Sequence, residues 1–205
     1  MTVSRVNIYN LALLNLGLSQ KMVQDLNDDS TEANVLNQVW HVCKDEALEA
    51  FQWNFANKVV ELDELAANLP GWERVFGLPP DCLAVRDVWE DGAGPEYFAL
   101  RGQLQDGRIA WRVMQVDGYK VLVVRGMDSA KVWLEYTADV DDTTLYSNLF
   151  VDALGWLLAH KGAAPLTGQP EKAQYAYTMY MERLAAAQLH NAKDNYSGPV
   201  GLTGY

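Results

Sequence analysis

The residues able to do chemistry are three histidines, two cysteines and an abundance of carboxylates. His41 follows Trp40 on a helical stretch, and His160 and His190 fall near expected helix ends. None has a second ligand at HExxH or paired-cysteine spacing, so neither a metal nor a cofactor is expected. Helix C-termini favour cations, which gives His160-Lys161 and His190 a plain electrostatic role. Cys43 lies on an apolar stripe, and His41, two residues away, points elsewhere on a helix and is no base for it. The GxSxG elbow and the glycine-rich phosphate loops are absent. No catalytic residue emerges, and the chain reads as a non-enzyme.

Carboxylates cluster at Asp139, Asp141 and Asp142, after the last expected strand, and at Asp28-Asp29. A glycan hydrolase needs two such groups across a cleft, and Asp139 with Asp142 is the pair that this alternative would use. The ordinary reading is a solvated turn or a helix cap, where Asp is favoured. Calcium at the DVDD run would require spaced oxygens that the residues after it, from Leu145 on, do not supply. Trp89, Trp111 and Trp133 recur where strands are expected, as a base-stacking or sugar-stacking platform would require. Their alternation with Ile109, Val113, Val132 and Leu134 instead suggests one core face and one face for protein contact, where Tyr and Trp are enriched.

The formal net charge of −11 over 205 residues opposes phosphate neutralisation, and so a DNA-binding module or an anionic-membrane ligand. No apolar run reaches the ~18 residues of a membrane span. The opening MTVSRVNIYNLALLNLG has Asn7, Asn10 and Asn15 among its apolar residues, which predicts a mature helix and not a signal peptide. Two lone cysteines fit a reducing compartment.

Four helices and a set of strands must carry these residues. Val6, Tyr9, Leu13, Leu14 and Leu16 recur at helical spacing over 4–16, with Gly17 as the C-terminal stop. An apolar connector with Met22, Val23 and Leu26 is expected to lie across the domain. The stretch 30–56 is the spine. Asp29 and Glu32 form a capping-box pattern, and Leu36, Val39, Trp40, Cys43, Ala47, Ala50 and Phe51 make its inner stripe. Glu32, Lys44, Asp45 and Glu49 are assigned to the outward face. Trp40, Phe51, Trp53 and Phe55 are the candidate core joint where helices meet sheet.

Residues 59–65 are left open between helix and strand. Strands are expected at 83–89, 97–101, 109–116, 119–125 and 131–137, separated by Asp-Gly turns, with Asp117-Gly118 the clearest hairpin. Helical spacing returns at Leu149, Phe150, Ala153, Leu154, Leu157 and Leu158, capped by Ser147 and closed by Pro165 and Gly168. Pro170 opens the last helix, whose expected buried face is Ala173, Tyr177, Tyr180, Met181 and Leu184. The expected fold is α+β and mainly helical: an antiparallel bundle of about four helices, with a small antiparallel sheet inserted between helices two and three. One domain would span 1–194, with helical parts 1–56 and 145–194 and a β-rich insertion 57–144. Residues 195–205, NYSGPVGLTGY, form a tail too short and too Gly-rich to fold alone.

The order of short motifs carries a resemblance. A first helix ending in NLG is followed by LNDDSTEAN, DEALEAFQWNFA, LPGW, GLPPDCLAVRDV, LEYTADVDD and FVDALGWLLAHKGAAPLTG. The most telling pieces are W-x-FA at Trp53, Phe55 and Ala56, LPPDC at Leu78 to Cys82, and Y-x-x-x-V-x-D at Tyr136, Val140 and Asp142. Together they resemble the head-to-tail adaptors of tailed bacteriophages, the tail tubular protein A group, over nearly the whole chain. The resemblance implies a structural virion protein of the neck or tail, assembled in the host cytoplasm. It would form a dodecameric ring on the portal protein, contact a downstream tail or nozzle protein, and let DNA pass without binding it specifically. By the same resemblance the tail would stay flexible until docked on the portal, through candidates Asn195, Tyr196, Pro199, Leu202 and Tyr205.

Overall fold

The computed structural model describes residues 3–91, 109–126 and 131–194, with side chains as far as 190. The described residues form four helices and two small antiparallel sheets, a mixed α+β fold. Contacts divide the chain into two compact units: Met1–Phe55 with Val140–Tyr205, and Ala56–Asp139. None of the described helices is long and apolar enough to cross a membrane.

The first unit is helical. In α1 (Arg5–Asn15) the Ser4 hydroxyl accepts from the Asn7 amide, and Ile8, Tyr9, Ala12 and Leu13 are buried. Its end is a full Schellman closure: Gly17 takes φ +76°, its N–H donates to the Leu14 carbonyl, and Leu18 donates to Leu13. The connector lies across the unit as expected, because Asn10 clasps both the amide and the carbonyl of Val23, and the Asn37 side chain donates to the Leu26 carbonyl.

α2 (Thr31–Glu49) starts one residue later than the capping-box pattern implies. Ser30 is its cap, accepting from the Ala33 amide, and Asp28 in turn accepts from the Ser30 amide. Glu32 is thereby freed to meet Lys21 at 2.7 Å. The outward assignment of Glu32 and Lys44 is corrected: both are buried, Lys44 completely. Lys44 lies beside Cys43 on the apolar stripe, and its long stem runs inward to an ammonium that Asp141 receives.

α3 (Asn148–Thr167) is apolar nearly all round and packs against α1, α2 and α4 (Pro170–Asp194), which makes it the centre of this unit. Pro165 does not close it. The helix runs on to Thr167, because a proline in the last turn deprives only the carbonyl of Lys161, and Gly168 at φ +66° makes the stop. At Gly155 a Cβ would come within 2.9 Å of the Leu11 side chain, so glycine is what lets α1 approach. On α4 the buried stripe is Ala176, Tyr180, Leu184 and Ala187. Tyr177 and Met181, expected inside, are exposed, since the stripe is set one residue earlier in each turn.

The described residues of the second unit form six strands, each antiparallel to its neighbours. They are β1 (Asn57–Glu61), β2 (Arg74–Gly77), β3 (Cys82–Glu90), β4 (Ala110–Val116), β5 (Tyr119–Arg125) and β6 (Val132–Ala138). The open stretch 59–65 is thus strand in its first part. The single expected sheet is two, ordered β1-β6-β3 and β2-β5-β4. Pairing across long separations produces this split. β6 takes β1 and β3 on its two edges, with Leu134 opposite both Val60 and Val88, whereas β5 takes β2 and β4. Val75, Val121 and Val123 form a core on one face of the second sheet, covered by Leu69, Trp72, Met114 and Val116. The β4–β5 hairpin turns on Asp117 at φ +50° and Gly118 at φ +88°, the left-handed pair that an Asp-Gly turn provides. The expected strand 97–101 lies outside the described residues.

Candidate functional site

Of the two carboxylates that a glycan hydrolase would use, Asp142 is tied into its own turn. Asp142 accepts from both the amide and the hydroxyl of Thr144, capping a 3-10 turn at Thr143–Leu145. Those bonds hold its carboxyl below the usual range, whereas a general acid requires a raised one. Asp139 belongs to the strand unit, where its amide donates to the Asp81 carbonyl. Asp141 meets the buried Lys44 ammonium at 2.5 Å, and that hydrogen bond lowers its pKa.

Neither thiol is poised to react. Burial pushes Cys43 up to about 12 and Cys82 to about 11, and both are free cysteines. The His160 Nδ1–H donates to the Ala173 carbonyl at 2.9 Å, tying α3 to α4, with its ring 5.0 Å from that of Tyr177. Among the described residues no group of His, Cys, Asp and Glu stands close enough to hold a metal ion. The tryptophans form no common platform. Trp89 is buried and paired in register with Trp133 in one sheet, and Trp111 belongs to the other.

Three of the four candidate joint residues come together. Trp53 is buried, with Phe51 at 5.4 Å, Phe55 stacked at 6.1 Å and Phe150 edge-on at 5.0 Å. Phe55 and Phe150 both continue to Tyr146, whose hydroxyl donates to the Val140 carbonyl at 2.6 Å. The indole N–H of Trp53 donates to the Ala47 carbonyl at 2.8 Å, occupying one of the acceptors that the end of α2 leaves open. The cluster therefore fastens the end of α2 to the start of α3. Trp40 stands apart: it meets Tyr9 edge-on at 5.6 Å, with the Arg5 guanidinium 4.7 Å over its ring. The five candidate docking residues of the tail lie outside the described residues.

Two features escaped the sequence. Asp81, the acid of LPPDC, binds Lys58 at 2.7 Å and the Tyr136 hydroxyl at 3.1 Å, so it gathers β1, β3 and β6. Burial works to raise its pKa, but those two hydrogen bonds prevail and hold it low; the same environment pushes Tyr136 up to about 12. Only its place after two prolines, at a strand start, hinted at this.

The other is a groove of about 710 Å³ between α2 and α4. Tyr180 and Leu184 form its floor, and Val42, Tyr177 and Met181 stand exposed along its sides. Asp45, Glu46 and Glu49, all from α2, make an acidic rim, with Lys161 reaching Glu46 at 3.2 Å. Such a surface offers apolar area, tyrosine and methionine to a protein partner, and carboxylates to steer it. A second hollow of about 810 Å³ in the strand unit is lined chiefly by Leu65, Val75, Pro79, Pro80, Val116 and Tyr119. No family model matches the chain, and no curated protein matches it either.

Proposed function

We propose that this protein is a structural head-to-tail adaptor of a tailed bacteriophage, forming a ring between portal and tail through which DNA passes. The observation that carries the proposal is the ordered motif set running from NLG through LPPDC to HKGAAPLTG. Its pieces coincide with structural junctions. NLG is the Schellman end of α1, W-x-FA belongs to the aromatic cluster between α2 and α3, and LPPDC carries the Asp81 node. The grooved, acid-rimmed surface between α2 and α4 supports a protein contact, and the charge of −11 supports a channel that does not hold DNA.

In this reading the four helices are the antiparallel bundle of the ring, and the strand unit is its sequence insertion. The portal and a nozzle protein are its axial partners, and the C-terminal tail docks on the portal. The test is electron microscopy of purified portal rings mixed with the protein. A stacked ring of adaptor density is expected. Bare portals at saturating protein, across the salt and pH conditions in which both components stay folded, overturn the proposal.

A further inference from the structure

Among the described residues, seven cations are answered by carboxylates. Lys21, Lys44, Lys58, Arg74, Lys131, Lys161 and Arg183 each meet a carboxylate within 4 Å. Arg112, Lys120 and Arg125 meet none among the described residues, and all three are exposed on the one β4–β5 hairpin, against Asp117 alone. The same hairpin exposes apolar groups: Tyr119 is 75% exposed, and Trp111 and Val113 more than a third.

Register sorts these groups. Directly opposed residues share a face, so Lys120, opposite Gln115, lies on the face of Trp111 and Val113. Arg112 and Arg125 lie on the other face, with Tyr119. Each face therefore carries both a cation and an aromatic. The α2/α4 groove presents the inverse: three carboxylates beside exposed Val42, Tyr177 and Met181.

We propose that the β4–β5 hairpin of one copy seats in the α2/α4 groove of the next. The surfaces are opposite in charge and alike in apolar content, as complementary interfaces are. Because the two patches differ, the contact is heterologous: each copy has one groove and one hairpin, so the contact repeats from copy to copy and either closes a ring or runs on. This inference rests on the adaptor reading for its ring, and it names the surfaces that would build it.

Two exposed double variants test it. Arg112→Glu with Lys120→Glu reverses the hairpin, and Glu49→Lys with Met181→Lys reverses the groove. Thermal melts establish that each variant is folded. By analytical ultracentrifugation, each alone is expected to self-associate at least about tenfold more weakly than wild type. An equimolar mixture of the two pairs native hairpin with native groove and acidic hairpin with basic groove, so it is expected to recover the association that neither variant shows alone. Should the reversals unfold the chain, Lys120→Gln and Glu49→Gln read the same contact with a smaller change. Wild-type association is expected to weaken several-fold between about 0.05 and about 0.5 M salt.

A mixture that stays monomeric, a single variant that assembles like wild type, or salt-independent association overturns the contact. So does a groove that takes a basic partner of another kind while copies ignore each other. The two readings fail separately. Rings on portal from both reversed variants sink the contact and leave the adaptor; association recovered in the mixture, from a protein whose wild type never rings on portal, does the opposite.

Discussion

At the scale of single residues, the reactive groups are committed to holding the fold. Lys44 is fully buried, and its ammonium meets Asp141, whose own carboxylate faces water, with Asp45 at 3.8 Å. Asp141→Asn leaves that buried charge with a weaker acceptor, at a cost of about 1–2 kcal/mol in urea unfolding. The pH dependence follows from the lowered pKa of Asp141. Its contribution is fully present above the unfolded carboxylate value of about 4 and is lost as pH falls through the lower folded value. The gap between wild type and variant should therefore exist at neutral pH and close in acid. Lys44→Met removes the buried charge itself and is expected to lie within about 1 kcal/mol of wild type. A Lys44→Met loss larger than that of Asp141→Asn contradicts this account.

The thiols give a second check. With Cys82 at about 11 and Cys43 at about 12, the thiolate fraction at pH 8 is about one in a thousand or less. Iodoacetamide should label neither in the folded protein at pH 8 and both after denaturation. Rapid native labelling at Cys82 counts against its burial.

Among the elements, two glycines of α3 separate packing from propensity. A Cβ at Gly155 meets Leu11 at 2.9 Å, whereas one at Gly162 finds its nearest neighbour, Leu166, at 3.4 Å. Gly162→Ala gains helix propensity of up to about 1 kcal/mol with little strain. Gly155→Ala makes the same gain but crowds α1, so it should be the less stable of the two by about 1–2 kcal/mol. Combining Gly155→Ala with Leu11→Ala should narrow that difference. Equal stability of the two single variants dismisses the close approach of α1.

The same element shows what the sequence disclosed. Its cap at Ser147 and its apolar residues follow from local chemistry, and so do the Gly17 stop and the Asp117-Gly118 hairpin. What stayed hidden depends on distant partners. Lys44 reads as an outward charge until Asp141, 97 residues away, is placed opposite it. Strand β2 is four residues long and exists through its pairing with β5, and one sheet became two through long-range choices of neighbour. On α4, Tyr177 and Met181 are apolar and correctly spaced, but a turn of the helix by one residue put them outside. The groove was illegible for that reason.

For the molecule as a whole, the Gly-rich composition of the C-terminal segment carries the tail prediction. Deleting 197–205 should leave the melting temperature nearly unchanged while weakening portal docking, measured by cosedimentation with portal rings. A large fall in melting temperature places this segment within the core and removes it as a docking arm.

The helical unit is assembled from two pieces of chain, with the strand unit, Ala56–Asp139, between them. This has a consequence for synthesis on the ribosome. α1 and α2 emerge with their apolar stripes bare, and the helix that covers them, α3, begins only after 98 further residues, from 50 to 147. At roughly 5–20 residues per second the delay is about 5–20 s. During that time the nascent N-terminal helices present Leu36, Trp40 and Leu48 to whatever is nearby, while the strand unit completes first. Nascent chains stalled before Asn148 should therefore recruit chaperones, and chains stalled beyond Asp194 should release them.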